Sequence, residues 1–319
     1  MRETDYAYAV ARIHANEAKL LSRHDADALM ACETAEDCLR TLSDRGYNTE
    51  LPTEQMLSGE LAKAWALVRE VAPEPSVFNV LLCKNDYHNL KAAIKGVVTG
   101  SDCSRLFVTS GLVDPSVMKE TAQARDFSAL PEPMREPAVQ AMIALLETQD
   151  GQLADVILDK AALDDLLSQG KASGWPFLAQ YAELVVASAD IRIALRAART
   201  GKSVSFLKKA LAPCDSFSAE ALAEAAAQGV DAVAEFLSRT KFSTAADAIS
   251  QSLSAFEKWC DDRVIELLSG AKTKPFGVEP LAAYLLGKEN EVKTVRIILS
   301  GKHNDLPDDV VKTRIRQLY

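Results

Sequence analysis

The feature that most constrains this chain is a segment near its C-terminus, residues 288–304, that has two earlier counterparts. The segment begins with charged residues, carries five aliphatic side chains within the eight positions 292–299, and reaches a glycine at Gly301. This pattern predicts a mostly buried helix that ends at the glycine, since a left-handed residue there lets the last carbonyl groups find donors. Residues 85–96 and 190–201 have the same outline and align with it without a gap.

The alignment of the three segments brings together one polar, one basic and one glycine position. The polar position holds Asn85, Asp190 and Asn290, the basic position holds Lys91, Arg196 and Arg296, and the glycine position holds Gly96, Gly201 and Gly301. The first offset is 105 residues and the second is 100, each close to a third of the 319-residue length. The sequence therefore predicts one helical unit repeated three times. We expect three lobes, which cover residues 1–101, 102–204 and 205–319.

The composition favours helices in all three copies. Hydrophobic residues make up 48% of the chain, aromatic residues only 6%, and there are few glycines and prolines for this length. Valine, isoleucine and threonine do not cluster in the alternating runs that strands require. We therefore expect an all-α fold in which three pseudo-threefold-related helical lobes can enclose a central cavity. The six cysteines are scattered, which favours reduced thiols in the cytosol over disulfides or a zinc site.

Charge and hydropathy narrow the classes of partner. The formal net charge of -9 argues against nucleic acid as the main partner, because phosphate backbones are bound by concentrated Lys and Arg side chains. No stretch approaches the roughly 18 apolar residues that a membrane-spanning helix needs, and the charged start of the chain predicts no secretory signal. We expect any association with a membrane to go through another protein.

Apolar spacing also predicts individual helices and their ends. The predicted helices include residues 5–21, 24–32, 34–43, 52–71, 218–238 and 245–269, one ending at Gly96 or Gly100, and one from Pro280 to Gly301. Thr34 and Asp37 form a predicted capping box at the start of the third of these. Trp65 is expected in the core because it lies at helical spacing from Leu61 and Val68, with an anchor at an interface as the alternative.

No motif for catalysis, a cofactor or a metal stands out. Gly201-Lys202-Ser203 matches the end of a phosphate-binding loop, but position 196, where the first glycine belongs, is Arg. The four histidines lie far apart. Three aspartate pairs lack the third acid of a magnesium-binding Asp-Asp-x-x-Asp motif, namely those at 164–165, 261–262 and 308–309. We expect a protein without catalytic residues, cofactor or metal.

The recurring basic residue has two interpretations. Lys91, Arg196 and Arg296 each pair with a carboxylate of their own unit, such as Asp86 or Glu291, or they form three cations that face an acidic partner around a pseudo-threefold axis. We favour the ion pairs and keep the three cations as candidates for contact with a partner.

Three parts of the sequence are similar to one known family. They are residues 6–47, residues 85–91 and, above all, residues 284–302 with Tyr-Leu-Leu-Gly-Lys-Glu-Asn-Glu at their start. In these parts the chain resembles the C subunit of the V/A-type rotary ATPases, whose counterpart in the eukaryotic vacuolar enzyme is the d subunit. The middle of the chain, residues 100–180, adds little to this resemblance.

The resemblance implies an all-helical funnel of three lobes without catalytic residues. Such a protein sits on the cytoplasmic face of the proteolipid ring and holds the end of the rotor shaft, the D and F subunits, in its cavity. It transmits torque between ATP chemistry and proton or sodium transport. On this resemblance we expect a central-stalk subunit that is peripheral to the membrane through the rotor ring and monomeric when isolated. The shared positions of the family are structural, so no individual residue role is transferred.

Two alternatives of other classes remain open at this point. One is a helical-repeat scaffold unrelated to rotary ATPases, and the other is an all-α enzyme without a recognisable motif. The direction of the coupled reaction, synthesis or hydrolysis of ATP, is decided in other subunits.

Overall fold

The computed structural model describes residues 2–319, and 74% of the chain is helical with no strand in the described part. This confirms the all-α prediction. The α-helices, in chain order, are Ala7–Glu17 (α1), Arg23–Ala31 (α2), Ala35–Asp44 (α3), Thr53–Val71 (α4), Cys83–Thr99 (α5), Pro115–Ala124 (α6), Glu132–Thr148 (α7), Gly151–Ala172 (α8), Pro176–Thr200 (α9), Val204–Ala210 (α10), Ala219–Gln228 (α11), Val230–Ser238 (α12), Ala245–Gln251 (α13), Leu253–Ser269 (α14), Glu279–His303 (α15) and Asp308–Lys312 (α16). Short 3-10 helices cover Glu3–Tyr6, Pro75–Leu81 and Ser104–Leu106.

Packing divides the chain into two compact units. Unit 1 combines Met1–Pro75 with Asp247–Tyr319, and unit 2 is Ser76–Ala246. Helices α1–α4 and α14–α16 belong to unit 1, and α5–α12 belong to unit 2. The three lobes expected from the repeat, and their arrangement as a funnel, stay predictions.

Helix α15, which contains the repeat segment nearest the C-terminus, is the centre of unit 1. Most of its 25 residues are buried, and α1, α2, α3, α4, α14 and α16 all pack against it. Val295 and Ile298 of α15 join Leu29, Leu42 and Leu57 of the surrounding helices in one apolar core. Burying each of these side chains contributes about 1.5–3 kcal/mol. The aliphatic run that defined the repeat is therefore the packing surface of this unit.

Unit 2 is built on the other two repeat helices, α5 and α9. Helix α8 packs against both of them, and α7 packs against α5 and α8. Leu90, Leu158 and Ile191, one from each of α5, α8 and α9, are almost completely buried. The repeat thus supplies the central helices of both units.

Trp65 is buried as the sequence predicts, and Thr34 caps α3 but does not form the predicted capping box with Asp37. Trp65 is 7% exposed and lies in the core of unit 1, with the Arg69 guanidinium 5.5 Å from its ring centre. The Thr34 hydroxyl oxygen accepts the Asp37 N–H at 3.2 Å and caps α3. The Asp37 carboxylate accepts the Thr34 hydroxyl at 2.8 Å. The full reciprocal box occurs at α2 instead, where Ser22 and Asp25 exchange bonds to each other's backbone N–H.

Two predicted helices are divided in the structure. The prediction of a single helix over residues 245–269 is wrong, because the backbone is extended at Ser252. The Ser252 hydroxyl oxygen accepts the Ala255 N–H at 3.0 Å and so caps a new helix, α14. Gly229, with φ of 124°, separates α11 from α12 within residues 218–238. Apolar spacing continues across both breaks, so it does not reveal a serine that caps or a glycine that turns.

The three repeat helices end with the same backbone pattern. A left-handed residue closes each of them, and the next amide donates to the carbonyl five positions earlier, as in a Schellman motif. The left-handed residues are Gly100, Gly201 and Asp305, with φ of 68°, 64° and 50°. The bonds are Ser101 N to Gly96 O at 3.0 Å, Lys202 N to Ala197 O at 3.0 Å and Leu306 N to Gly301 O at 2.9 Å. The expected end is confirmed at Gly201 and at Gly100, and it is wrong at Gly301, because α15 continues to His303.

Gly96 and Gly301 are needed for close packing. A Cβ added to Gly301 would lie 2.5 Å from Cγ2 of Val311, and one added to Gly96 would overlap the Cys103 sulfur. In both cases the obstructing residue belongs to the segment that follows the helix and returns along it. The aligned glycines therefore admit the returning chain in α5 and α15, whereas Gly201 supplies a left-handed turn after α9.

Candidate functional site

The structure brings two of the three aligned cations together. Lys91 and Arg196 line one groove in unit 2, between α5, α8 and α9. Arg296 lies in unit 1, on α15. The aligned basic position therefore has different surroundings in unit 1 and in unit 2.

Lys91 and Arg296 each form an ion pair with a carboxylate from another helix. The Lys91 ammonium lies 2.5 Å from Oδ1 of Asp159 on α8. The Arg296 guanidinium binds both oxygens of Glu54 on α4, with Nε to Oε1 at 2.9 Å and Nη2 to Oε2 at 2.8 Å. This fork, mainly through its hydrogen bonds, holds the pKa of Glu54 below its usual value.

Lys91 and Arg296 thus form ion pairs, but not with a carboxylate of their own repeat unit, as the favoured interpretation expects. Asp159 lies in residues 102–204 and Glu54 in residues 1–101. The partners named from the sequence, Asp86 and Glu291, are wrong. Asp86 accepts the N–H groups of Leu112 and Val113 at 2.9 and 3.1 Å. Residues five apart on a helix point about 140° away from each other, so Asp86 cannot face Lys91. The same geometry separates Glu291 from Arg296.

The groove that contains Lys91 and Arg196 is basic at its rim and apolar at its floor, and we call it the basic groove. Its volume is about 480 Å³. Its basic and imidazole side chains are Lys84, His88 and Lys91 on α5 and Arg192 and Arg196 on α9. Its apolar side chains are Val108, Ala162, Leu163, Ala189 and Ile193, and its carboxylate is Asp159. Because the chain as a whole has a net charge of -9, these cations give the groove a surface charge opposite to that of the rest of the protein.

Helical spacing produces the basic groove. Lys84, His88 and Lys91 occupy positions i, i+4 and i+7 of α5, and Arg192 and Arg196 occupy i and i+4 of α9, so each set shares one face. The repeat alignment identified only Lys91 and Arg196. Lys84, His88 and Arg192 lie outside the aligned position, although the spacing of basic residues on each helix indicates them. No local pattern connects Asp159 with Lys91.

Arg192 has an unsatisfied donor beside the groove. Its Nε is buried and has no hydrogen-bond partner within residues 2–319. Buried donors in folded proteins are nearly always paired, with protein, water or ligand. An acceptor brought into the basic groove is one way to satisfy this group.

The aligned polar residues hold the chain that returns after each helix, and we call these three contacts the polar clamps. Nδ2 of Asn85 donates to the carbonyl of Ser110 at 2.7 Å, 25 residues later. The Asp190 carboxylate accepts the Ala212 N–H at 3.0 Å, 22 residues later. Asn290 donates to the Gln317 carbonyl, 27 residues later. The polar position therefore recurs because it fastens the backbone.

Asp190 is the one carboxyl group among the three clamp side chains. It is fully buried, one of its oxygens has no partner within the described residues, and burial raises its pKa to about 7. The bond from Ala212 and the charge of Lys160 act in the opposite direction, and Asp164 and Glu183 act with the burial. This clamp thus holds a proton well above the pH at which an ordinary aspartate loses it.

Neither a membrane span nor a metal centre occurs in the part of the chain that the structure describes. Across residues 2–319 no helix is both long and apolar enough to cross a bilayer. In the same range no three His, Cys, Asp or Glu side chains are grouped so that they would hold a metal ion.

Comparison with known proteins gives one consistent family. A sequence model described as the ATP synthase (C/AC39) subunit matches residues 9–314. The C subunit of the V-type ATP synthase of Thermus thermophilus is 26% identical over 329 residues, 98% of each chain. The C subunit of the V-type sodium ATPase of Enterococcus hirae is 26% identical over 270 residues, 83% of this chain and 82% of that protein. The C subunit of the A-type ATP synthase of Methanocaldococcus jannaschii is 23% identical over 351 residues, 98% of this chain and 86% of that protein.

These matches extend over the middle of the chain, where the resemblance seen in the sequence was weak. They set aside both alternatives, the unrelated scaffold and the all-α enzyme. The chain therefore belongs to the ATP synthase (C/AC39) subunit family and is a structural, non-catalytic subunit of a V/A-type ATPase.

Proposed function

We propose that this protein is the socket of the central stalk, which couples the rotor shaft, the D and F subunits, to the proteolipid ring of the membrane. In this role it transmits torque between ATP chemistry and proton or sodium transport. It lies on the cytoplasmic face of the membrane, attached through the ring, and is monomeric when isolated. Residues 1–101, 102–204 and 205–319 form three lobes around the cavity that receives the shaft.

The observation that supports the proposal most strongly is that the polar clamp occurs at three places in the chain. Asn85, Asp190 and Asn290 sit at the aligned position of three long helices, and each clamps the backbone 22 to 27 residues later. Copies of one helical unit with the same fastening support a ring-like arrangement of lobes, and a round seat suits a rotating shaft. A protein of this kind works by shape and stiffness, which agrees with its non-catalytic family.

A binding experiment tests the coupling role directly. The purified chain is mixed with the D and F subcomplex of the same organism and separated by size-exclusion chromatography, and then with membranes that contain the proteolipid ring. The proposal expects the chain to elute with D and F and to sediment with the ring. A chain that folds normally and binds neither of them contradicts it.

The three aligned cations are candidates for the contact with the shaft. Their replacement together, Lys91→Gln, Arg196→Gln and Arg296→Gln, is expected to weaken binding of D and F because three positive charges are lost. The matched control replaces three exposed arginines away from the aligned position, Arg40, Arg199 and Arg239, also with Gln. If both triple variants fold and bind the shaft equally, the contact role of the three cations is wrong while the coupling role stands.

A further inference from the structure

The basic groove of unit 2 is more than the position of two aligned cations. We propose that it is a docking site for an acidic amphipathic segment of another subunit, whose carboxylates meet the rim while its aliphatic side chains lie on the floor. This inference rests on the proposed function in one respect, namely that the partner is another subunit of the same rotary assembly.

The charge of the rim selects the sign of the partner. Five lining side chains are basic or imidazole and one is a carboxylate. The basic residues come from two helices, Lys84, His88 and Lys91 from α5 and Arg192 and Arg196 from α9. A segment with acidic side chains at helical spacing presents several carboxylates to these cations at once.

The floor selects an amphipathic segment over a small anion. Val108, Leu163 and Ile193 give it aliphatic surface, and the two alanines, Ala162 and Ala189, leave room for a backbone to approach closely. The volume of about 480 Å³ lies within the range of about 300–1,000 Å³ that binding clefts span. A phosphate ion alone would leave this apolar surface uncovered.

Arg192 has a buried hydrogen-bond donor that an incoming acceptor could satisfy. Its buried Nε lacks a partner in the part of the chain that the structure describes. A carboxylate that enters the groove supplies the acceptor, and a charge-assisted bond of this kind is stronger than one to a neutral oxygen.

Asp159 is a built-in competitor for the incoming segment. Its carboxylate holds the Lys91 ammonium at 2.5 Å, although the Asp159 side chain is 53% exposed. Docking of an acidic segment requires Lys91 to exchange this carboxylate for one of the partner. Removal of the competitor should therefore strengthen docking, which is an outcome that a purely structural role of the groove does not produce.

The site of docking is tested by crosslinking in the assembled ATPase. A photo-crosslinking amino acid replaces Lys84, an exposed rim residue, and in a matched variant it replaces Arg199, which lies on α9 outside the groove. The inference expects position 84 to crosslink to a segment in which acidic and aliphatic residues alternate at helical spacing. No crosslink from position 84, or one to a basic or uncharged segment, overturns it.

The charge requirement is tested by affinity for ATPase complexes from which this protein has been removed. Arg192→Glu with Arg196→Glu should weaken rebinding by about tenfold or more, Arg199→Glu should leave it near wild type, and Asp159→Asn should tighten it several-fold. Equal affinities for all variants contradict the inference. Circular dichroism checks folding, and if the double reversal does not fold, Asp159→Asn and the crosslink still decide.

The two proposals fail in different ways. If the wild-type chain does not assemble with the ATPase at all, the coupling role is wrong. If it assembles, and position 84 contacts nothing acidic, only the docking site is wrong.

Discussion

The ammonium group of Lys288 lies 2.6 Å from the carboxylate of Glu291 in the interior of unit 1, with side chains only 7% and 2% exposed. The same carboxylate accepts the backbone N–H of Leu21 at 2.7 Å and the hydroxyl of Tyr47. Burial, together with the charge of Glu291, raises the pKa of the Tyr47 phenol well above its usual value. One buried anion of α15 therefore fastens the N-terminal part of the chain to this helix.

Breaking this pair should be costly. Lys288→Met leaves the Glu291 carboxylate buried without its counter-ion, and we expect the free energy of unfolding in urea to fall by about 3–5 kcal/mol. Lys63→Met is the matched control, because Lys63 pairs with Glu60 three positions away on α4 but is 62% exposed. Its loss should be at most about 1 kcal/mol. Equal losses for the two variants would show that Lys288 contributes only as a surface charge.

Asp190 should make the stability of the protein depend on pH. Its pKa is raised to about 7 in the folded state, against 3.8 for an ordinary aspartate, so the folded chain keeps a proton that the unfolded chain releases. Stability contributed by this group is therefore complete below about pH 4, falls as the pH rises towards 7, and does not change further above that. At about 1.4 kcal/mol for each pH unit, the total loss is on the order of 4 kcal/mol.

Asp190→Asn should remove this dependence. The amide oxygen can still accept the Ala212 N–H, and the side chain carries no charge to be buried. We expect the variant to be more stable than the wild type at pH 8 and similar to it at pH 4, as measured by urea denaturation across this range. Parallel stability curves for the two proteins would mean that Asp190 is ionised in the fold.

Gly301 should be intolerant of a methyl group because of one neighbour. Gly301→Ala places Cβ 2.5 Å from Cγ2 of Val311, and overpacking of this kind costs about 1–3 kcal/mol. Val311→Ala removes the obstructing methyl groups, so the double variant should recover part of the loss in a double-mutant cycle.

Gly201→Ala serves as the comparison for that cycle. It meets nothing within 4 Å but has φ of 64°, so its cost of about 1–2 kcal/mol arises from the backbone. Val311→Ala should leave this cost unchanged. A Gly301→Ala loss that Val311→Ala does not relieve would contradict the packing explanation.

The ion pairs of the aligned cations should contribute little to folding. Arg296 and Glu54 have side chains 44% and 68% exposed, so Arg296→Gln is expected to change the stability by at most about 1 kcal/mol, and less in high salt. Lys91 is less exposed, at 23%, so Lys91→Gln should cost somewhat more, although its partner Asp159 is 53% exposed. Thermal unfolding at two salt concentrations checks both. A much larger loss would make these variants unsuitable for the shaft-binding experiment.

The sequence predicts the helices of this fold well where a local pattern decides the structure. The aliphatic spacing of residues 292–299 predicts the buried face of α15, and the hydroxyl of Thr34 predicts the start of α3. It predicts less where the local structure depends on contact with a residue far away in the sequence. Gly301 resembles a helix end in the sequence, but the helix continues past it. A glycine is needed there because Val311, in the segment that follows α15, packs against this position.

The same distinction applies to the basic groove. Alignment of the repeats identifies Lys91 and Arg196, because each keeps its place within its own helix. It does not indicate that α5 and α9 line one cleft, or that Asp159 on α8 neutralises one of the two cations. Those facts depend on how three helices pack, which no single stretch of sequence specifies.

The polar clamps leave the connecting segments free to change. In each of them the side chain on the long helix grips a main-chain group, the carbonyl of Ser110, the amide of Ala212 or the carbonyl of Gln317. Because every amino acid offers a carbonyl, and all but proline an amide, the receiving position can mutate while the anchorage persists. Loops of this protein can thus drift in length and sequence from one lineage to another around an unaltered set of helices.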